Sequence, residues 1–88
     1  MKLATFATKE ARANWYQNEI KAIENNGLKK AREMYEAALR GEGKESWMKL
    51  NYTTDEREWN HHLRWLREQI AYLERKIRKY QREIAKNS

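Results

Sequence analysis

Apolar side chains recur through the C-terminal half of the chain at Trp59, Leu63, Leu66, Ile70, Leu73, Ile77, Tyr80 and Ile84, in steps that alternate between four and three residues. Such alternation is a heptad repeat. Leu63, Ile70, Ile77 and Ile84 form one class and Trp59, Leu66, Leu73 and Tyr80 the other, the spacing that keeps one seam of a helix facing a helical neighbour. The pattern predicts a single helix over 54–86. Its start is marked by Thr53-Thr54-Asp55-Glu56, a capping box in which the Thr53 hydroxyl accepts from the Glu56 amide while that glutamate reaches back. Asp55 and Glu56 also suit the positive end of the helix dipole.

A second stripe precedes it. Thr8 is a candidate cap for a helix that starts near Lys9, with Ala13, Tyr16, Ile20 and Ile23 on one face and Trp15 widening it. Asn25, Asn26 and Gly27 interrupt the pattern, and it resumes at Leu28, Ala31, Met34, Tyr35, Ala38 and Leu39. The expected element is a helix over 9–40, with either a kink or a turn at 25–27, since Asn and Gly accept a left-handed conformation. Gly41 is suited to the position just past its last turn. Between the helices the period changes. Met48, Leu50 and Tyr52 alternate with Trp47, Lys49 and Asn51, which predicts a short strand or extended arm over 44–53. The sum is one domain over 1–88, mainly all-α: a long helical hairpin with a heptad-patterned second helix and a short extended segment between the helices.

Composition supports this class. Proline is absent, glycine occurs three times and charged residues make up 36% of the chain, a composition that favours long helices over a sandwich or barrel. An 88-residue domain has little core of its own, so a partner or an assembly is expected to complete its burial. Trp65 and Tyr72, one heptad apart, lie off the main stripe, and Trp47 points away from Met48 and Leu50; a hairpin alone leaves aromatics such as these in water. Trp47, Leu50, Tyr52, Trp65, Leu66, Ile70, Tyr72, Leu73 and Ile77 are therefore the candidate contact residues for a partner or a second copy. No apolar run matches a signal peptide or a membrane span, so a soluble, intracellular protein is expected.

Candidate chemistry is sparse. With no cysteine, disulfides, thiolate zinc sites and cysteine nucleophiles are excluded. His61 and His62 are adjacent and diverge by about 100° on a helix. Glu58 is an i,i+4 neighbour of His62, but no third ligand has matching spacing, and no metal or cofactor is expected. The carboxylates at 55, 56, 58, 68, 74 and 83 are spaced as helix-surface charges, and neither Ser46 nor Ser88 sits in a nucleophile motif. The expectation is a protein without catalysis. The formal charge is +6, and Arg75, Lys76, Arg78, Lys79 and Arg82 fall within eight positions that hold no acid, which makes them candidates for nucleic-acid contact. Cations near a helix C-terminus are also favoured by its dipole, which is the structural alternative.

The order of elements from about Lys29 to Ile84 resembles that of the small gpW-type head-completion, or head-tail joining, proteins of tailed phages. The matching parts are AREMYEAALRGEG for a first helix and its exit, WMKLNYTT for a β segment, and DEREWNHHLRWLREQIAYLERKI for a second helix. The family usually has a complete β-hairpin, whereas only 12 residues, Gly41 to Tyr52, separate the helices here. The resemblance implies a connector that forms a homo-oligomeric ring at the portal vertex, touching the portal and the next neck or tail protein. Two other classes fit the same residues: a small helical protein that regulates a host nucleic-acid machine, as an anti-defence factor would, and a dimeric coiled-coil scaffold built from 54–88.

Overall fold

The computed structural model describes residues 8–86. The remaining residues of the 1–88 domain, including most of the N-terminal stretch, lie outside the described residues. The order is α1 (Lys9–Ala22), a π-helical segment (Ile23–Leu28), α2 (Lys29–Leu39), a short α3 (Lys44–Leu50) and the long α4 (Glu56–Lys86). α1, the π segment and α2 form a continuous first rod. Its 14, 6 and 11 residues equal the 31 of α4. The two rods run antiparallel, as shown by pairs that step in opposite directions: Arg12 with Glu83 at 3.7 Å, Tyr16 with Tyr80, Arg32 with Glu74 at 3.3 Å, and Ala38 with Leu66. The expected hairpin of two long helices is present.

Asn25-Asn26-Gly27 neither turns the chain nor breaks the rod. The covered positions reach Ile20 in α1 and Ile23 at the start of the π segment, and resume at Leu28 at its end and Ala31 and Tyr35 in α2, so the stripe contains one step of five. In an α-helix five residues rotate a side chain by about 500°, which would swing Leu28 roughly 140° off the seam. A π turn, with its i→i+5 hydrogen bonds, absorbs the extra residue and restores the phase. Leu28 is accordingly buried, at 4% exposure. Gly27 faces α4 closely enough that a Cβ there would meet Leu73 Cδ1 at 3.6 Å, an ordinary contact.

The first rod ends in a Schellman motif. Gly41 takes φ +84°, its amide donates to the Ala38 carbonyl at 2.9 Å, and the Glu42 amide donates to that of Ala37 at 3.0 Å. Gly43, at φ +75°, then turns the chain into α3.

Here the sequence reading is corrected: Lys44–Leu50 is helical, not an extended arm. A lone strand between two helices has no sheet to pair with, and its amides and carbonyls would find no protein partners. Coiled into a helix, the segment meets that need internally, with Trp47 N donating to Gly43 O at 2.9 Å and Asn51 N to Trp47 O at 3.0 Å. The apolar residues that alternate along an extended chain fall on different sides of the helix. Trp47 is half-buried and Leu50 is 78% exposed.

The start of α4 is corrected too. Thr53 Oγ1 accepts from the Asp55 amide at 3.0 Å, not from Glu56, and Asp55 is the cap: its Oδ1 accepts from Arg57 N at 2.9 Å. With Asp55 in the cap position, the helix begins at Glu56 rather than at 54.

The buried apolar side chains among the described residues are Leu28, Ala38, Trp59, Leu66 and Ile77. Ala38, Trp59 and Leu66 pack together, with Tyr35, Trp47 and Leu63 against them, so the core is thickest where α3 lies beside the hairpin. Leu63, Ile70, Leu73, Tyr80 and Ile84 are half-buried along the same seam. Met34 and Leu39, which sequence spacing assigns to the inner face of the first rod, are 60% and 56% exposed, because α4 is narrower than the stripe they would extend.

Removal of Asn26 turns the step of five into a step of four, which a regular α-helix accommodates. The shortened protein is expected to melt at a temperature no lower than the parent. Removal of Glu33, which instead rotates Tyr35 and Ala38 by about 100° away from α4, is expected to lower it sharply. Thermal unfolding followed by circular dichroism compares the two.

Candidate functional site: the two flanks of the long helix

Leu66 and Ile77 are buried, and Ile70 and Leu73 half-buried, in the seam that the chain's own first rod covers. Of the contact residues expected from sequence, Trp65 and Tyr72 are the pair on α4 that faces outward, at 55% and 53% exposure. At 1.5 Å per residue they stand about 10 Å apart along one flank of the helix.

Trp65 is the outer member of an aromatic stack. The Trp47 and His62 ring centroids are 4.7 Å apart with planes 23° from parallel, and His62 lies 6.0 Å from Trp65 at 14°. Trp47 also meets Trp59 edge-on at 5.5 Å. The series runs from the buried Trp59 to the surface and holds Trp65 in a fixed orientation. His62 is thus a packing residue between two indoles. Sequence reasoning weighed it as a metal ligand and missed this role, because Trp47 reaches it only once α3 is folded. At the far end of the hairpin seam, Trp15 and Tyr16 contact Tyr80 at 6.0 and 5.2 Å, and Lys76 Nζ lies 5.9 Å from the Tyr80 ring.

The basic cluster divides. By helical spacing, Arg75, Arg78 and Arg82 share one flank of α4, while Lys76 and Lys79 fall on the aromatic side. Arg64 and Arg67 extend the arginine flank toward the N-terminus. They were missed because the basic residues were grouped by nearness in sequence; counting at intervals of three and four would have found them.

At the tip, Tyr52 is 97% exposed and holds φ +50°. It ends α3 in a second Schellman motif: the Tyr52 amide donates to Lys49 O at 3.2 Å and the Thr53 amide to Met48 O at 3.0 Å. This position normally takes glycine or asparagine. Met48 and Thr53 border an open apolar groove with Gly41, Lys44 and Thr54. Beside it, Asp55 receives Arg57 through Nε at 3.2 Å and a terminal guanidinium nitrogen at 3.0 Å. The Arg57 side chain and then its backbone amide, both hydrogen-bonded to the carboxylate, hold Asp55 below its ordinary pKa of 3.8.

Among the described residues no group of three His, Cys, Asp or Glu side chains is arranged to hold a metal ion. Nor, among them, is any helix long and apolar enough to cross a membrane. Comparison with family models, curated proteins and solved structures finds no match to this chain.

Two outcomes test the tip. Replacing Tyr52 with glycine relieves the left-handed conformation without removing a buried contact, and is expected to stabilise the fold by about 0.5–1 kcal/mol in urea unfolding. Asp55 has its pKa depressed in the folded state, so its contribution to stability is present above the unfolded value of 3.8 and is lost as pH falls through the lower folded value. The melting-temperature gap between the parent and Asp55→Asn is therefore expected to stay level above about pH 5 and to close in more acidic solution.

Proposed function

We propose that this protein is a non-enzymatic assembly component: a helical-hairpin connector that works as a homo-oligomer through the outer aromatic flank of α4. The observation that carries this reading is the pair Trp65 and Tyr72, both more than half exposed and one heptad apart. Large aromatics fixed at a surface are favoured anchors of protein interfaces, because they bring much apolar area at little cost in side-chain freedom. A hairpin of two rods supports it further. Each rod covers only one side of the other, and among the described residues no side chain is completely buried, so packing against neighbouring copies would complete the core.

The helix order of the gpW-type head-completion and head-tail joining proteins makes a ring at a phage portal vertex the specific form of this proposal, with portal and neck or tail proteins as partners. The exposed tip residues Leu50 and Tyr52 are suited to reaching such a partner.

Sedimentation of the purified chain over a range of concentrations is the test. A self-associating species is expected, and Trp65→Ala with Tyr72→Ala is expected to reduce it to a monomer with an unchanged far-ultraviolet spectrum. A parent protein that stays monomeric throughout, or a double variant that assembles normally, overturns the assignment of this flank. Co-sedimentation with isolated portal rings tests the phage-specific form.

A further inference from the structure

Positions 60, 64, 67, 71, 75, 78 and 82 lie in steps of four, three, four, four, three and four along α4, and they are occupied by Asn60, Arg64, Arg67, Ala71, Arg75, Arg78 and Arg82. The row contains five arginines and no acid. All five are exposed, and among the described residues none forms an ion pair with Asp or Glu. From Arg64 to Arg82 the row is about 27 Å long and straight, because the helix beneath it is unbroken. Glu74 and Glu24 border it near Arg78, and Glu74 is held by Arg32 across the hairpin.

The helix dipole does not explain the row. Its effect is confined to the first and last turns, whereas Arg64 and Arg67 lie in the N-terminal half of α4 and Arg78 stands two turns from its end. Side-chain type is selective as well. Of the lysines of this stretch, Lys76 and Lys79 lie off the row, and Lys86, four residues past Arg82, is paired with Glu83. Guanidinium differs from ammonium in presenting a planar fork that matches two phosphate oxygens at once.

We propose that this arginine row binds the phosphate backbone of a nucleic-acid duplex, without sequence preference. A series of like cations at helical spacing needs a ligand with closely repeated negative charge along a line, which a duplex supplies. A single strand is the poorer fit, since its binding relies on aromatic platforms interleaved with the cations, and the exposed aromatics of α4 lie on the other flank. A lipid surface is also a poorer fit, because no large apolar side chain shares the row to enter the acyl region. The inference does not rest on the assembly reading, which uses Trp65 and Tyr72.

The test is fluorescence anisotropy with the full chain and a labelled random-sequence DNA duplex of about 20 base pairs, enough to exceed the row at 3.4 Å per pair. Binding is expected, and Arg67→Gln, Arg75→Gln and Arg78→Gln together are expected to weaken it about tenfold or more near 100 mM salt. The same triple variant should lower the slope of log affinity against log salt by about three. Lys49→Gln, Lys76→Gln and Lys79→Gln remove the same charge and are expected to cost less than about threefold, because they lie off the row. Arginine-to-lysine changes at the three row positions keep the charge and are expected to give an intermediate loss, which tests the fork geometry should the glutamine variant not fold. The proposal is overturned if the parent does not bind, if the two glutamine sets weaken binding equally, if the lysine-substituted row binds like the parent, or if polyglutamate, a single strand or anionic vesicles compete as well as duplex.

Discussion

Burial of one helical stripe against another is the interaction on which the rest depends, and it works only while both stripes stay in phase. Two rods of equal length, laid antiparallel, offer each other a line of contact rather than an enclosed core. Each residue on that line therefore matters more than it would inside a larger domain. The π segment at Ile23–Leu28 is where the phase is kept: without it, the half of the first rod that includes Leu28, Tyr35 and Ala38 would turn away from α4. A conformational cost at one turn thus secures apolar burial along the rest of the rod.

Much of the fold was legible in the residue pattern, and the exceptions have physical causes. The heptads of α4 and the stripe of α1 were plain, because periodicity over many turns is set by one neighbour. Gly41 was recognised as the end of the first rod, since its left-handed conformation suits glycine above other residues. The π turn was present in the sequence as the single step of five between Ile23 and Leu28, but Asn25-Asn26-Gly27 draws attention to turn chemistry instead. The segment at 44–53 was misjudged for a different reason. Alternation over six residues is a weak local signal, and it loses to the need to satisfy backbone hydrogen bonds where no sheet exists. Tyr52 concealed the turn further, because a bulky side chain stands where glycine or asparagine would have marked it.

The candidate surfaces were legible in part. Exposure of Trp65 and Tyr72 follows from their being off the heptad seam. The stack that orients Trp65 through His62 and Trp47 did not follow, since it joins residues from two helices whose packing local spacing does not encode. The cations show the converse. Their arrangement was encoded all along in intervals of three and four, and grouping them by proximity mixed two flanks of the helix.

The separation of those flanks has a consequence for how the molecule would be used. Their mean directions around α4 differ by roughly 100°, with Glu68 between them, so a protein neighbour seated on the aromatics would leave the guanidinium row uncovered. Copies joined side by side could then present their rows along a shared surface, and a polymer too weakly held by one row would be retained by several acting together. In such an arrangement grip would be set by the number of copies assembled, and a lone hairpin would let go.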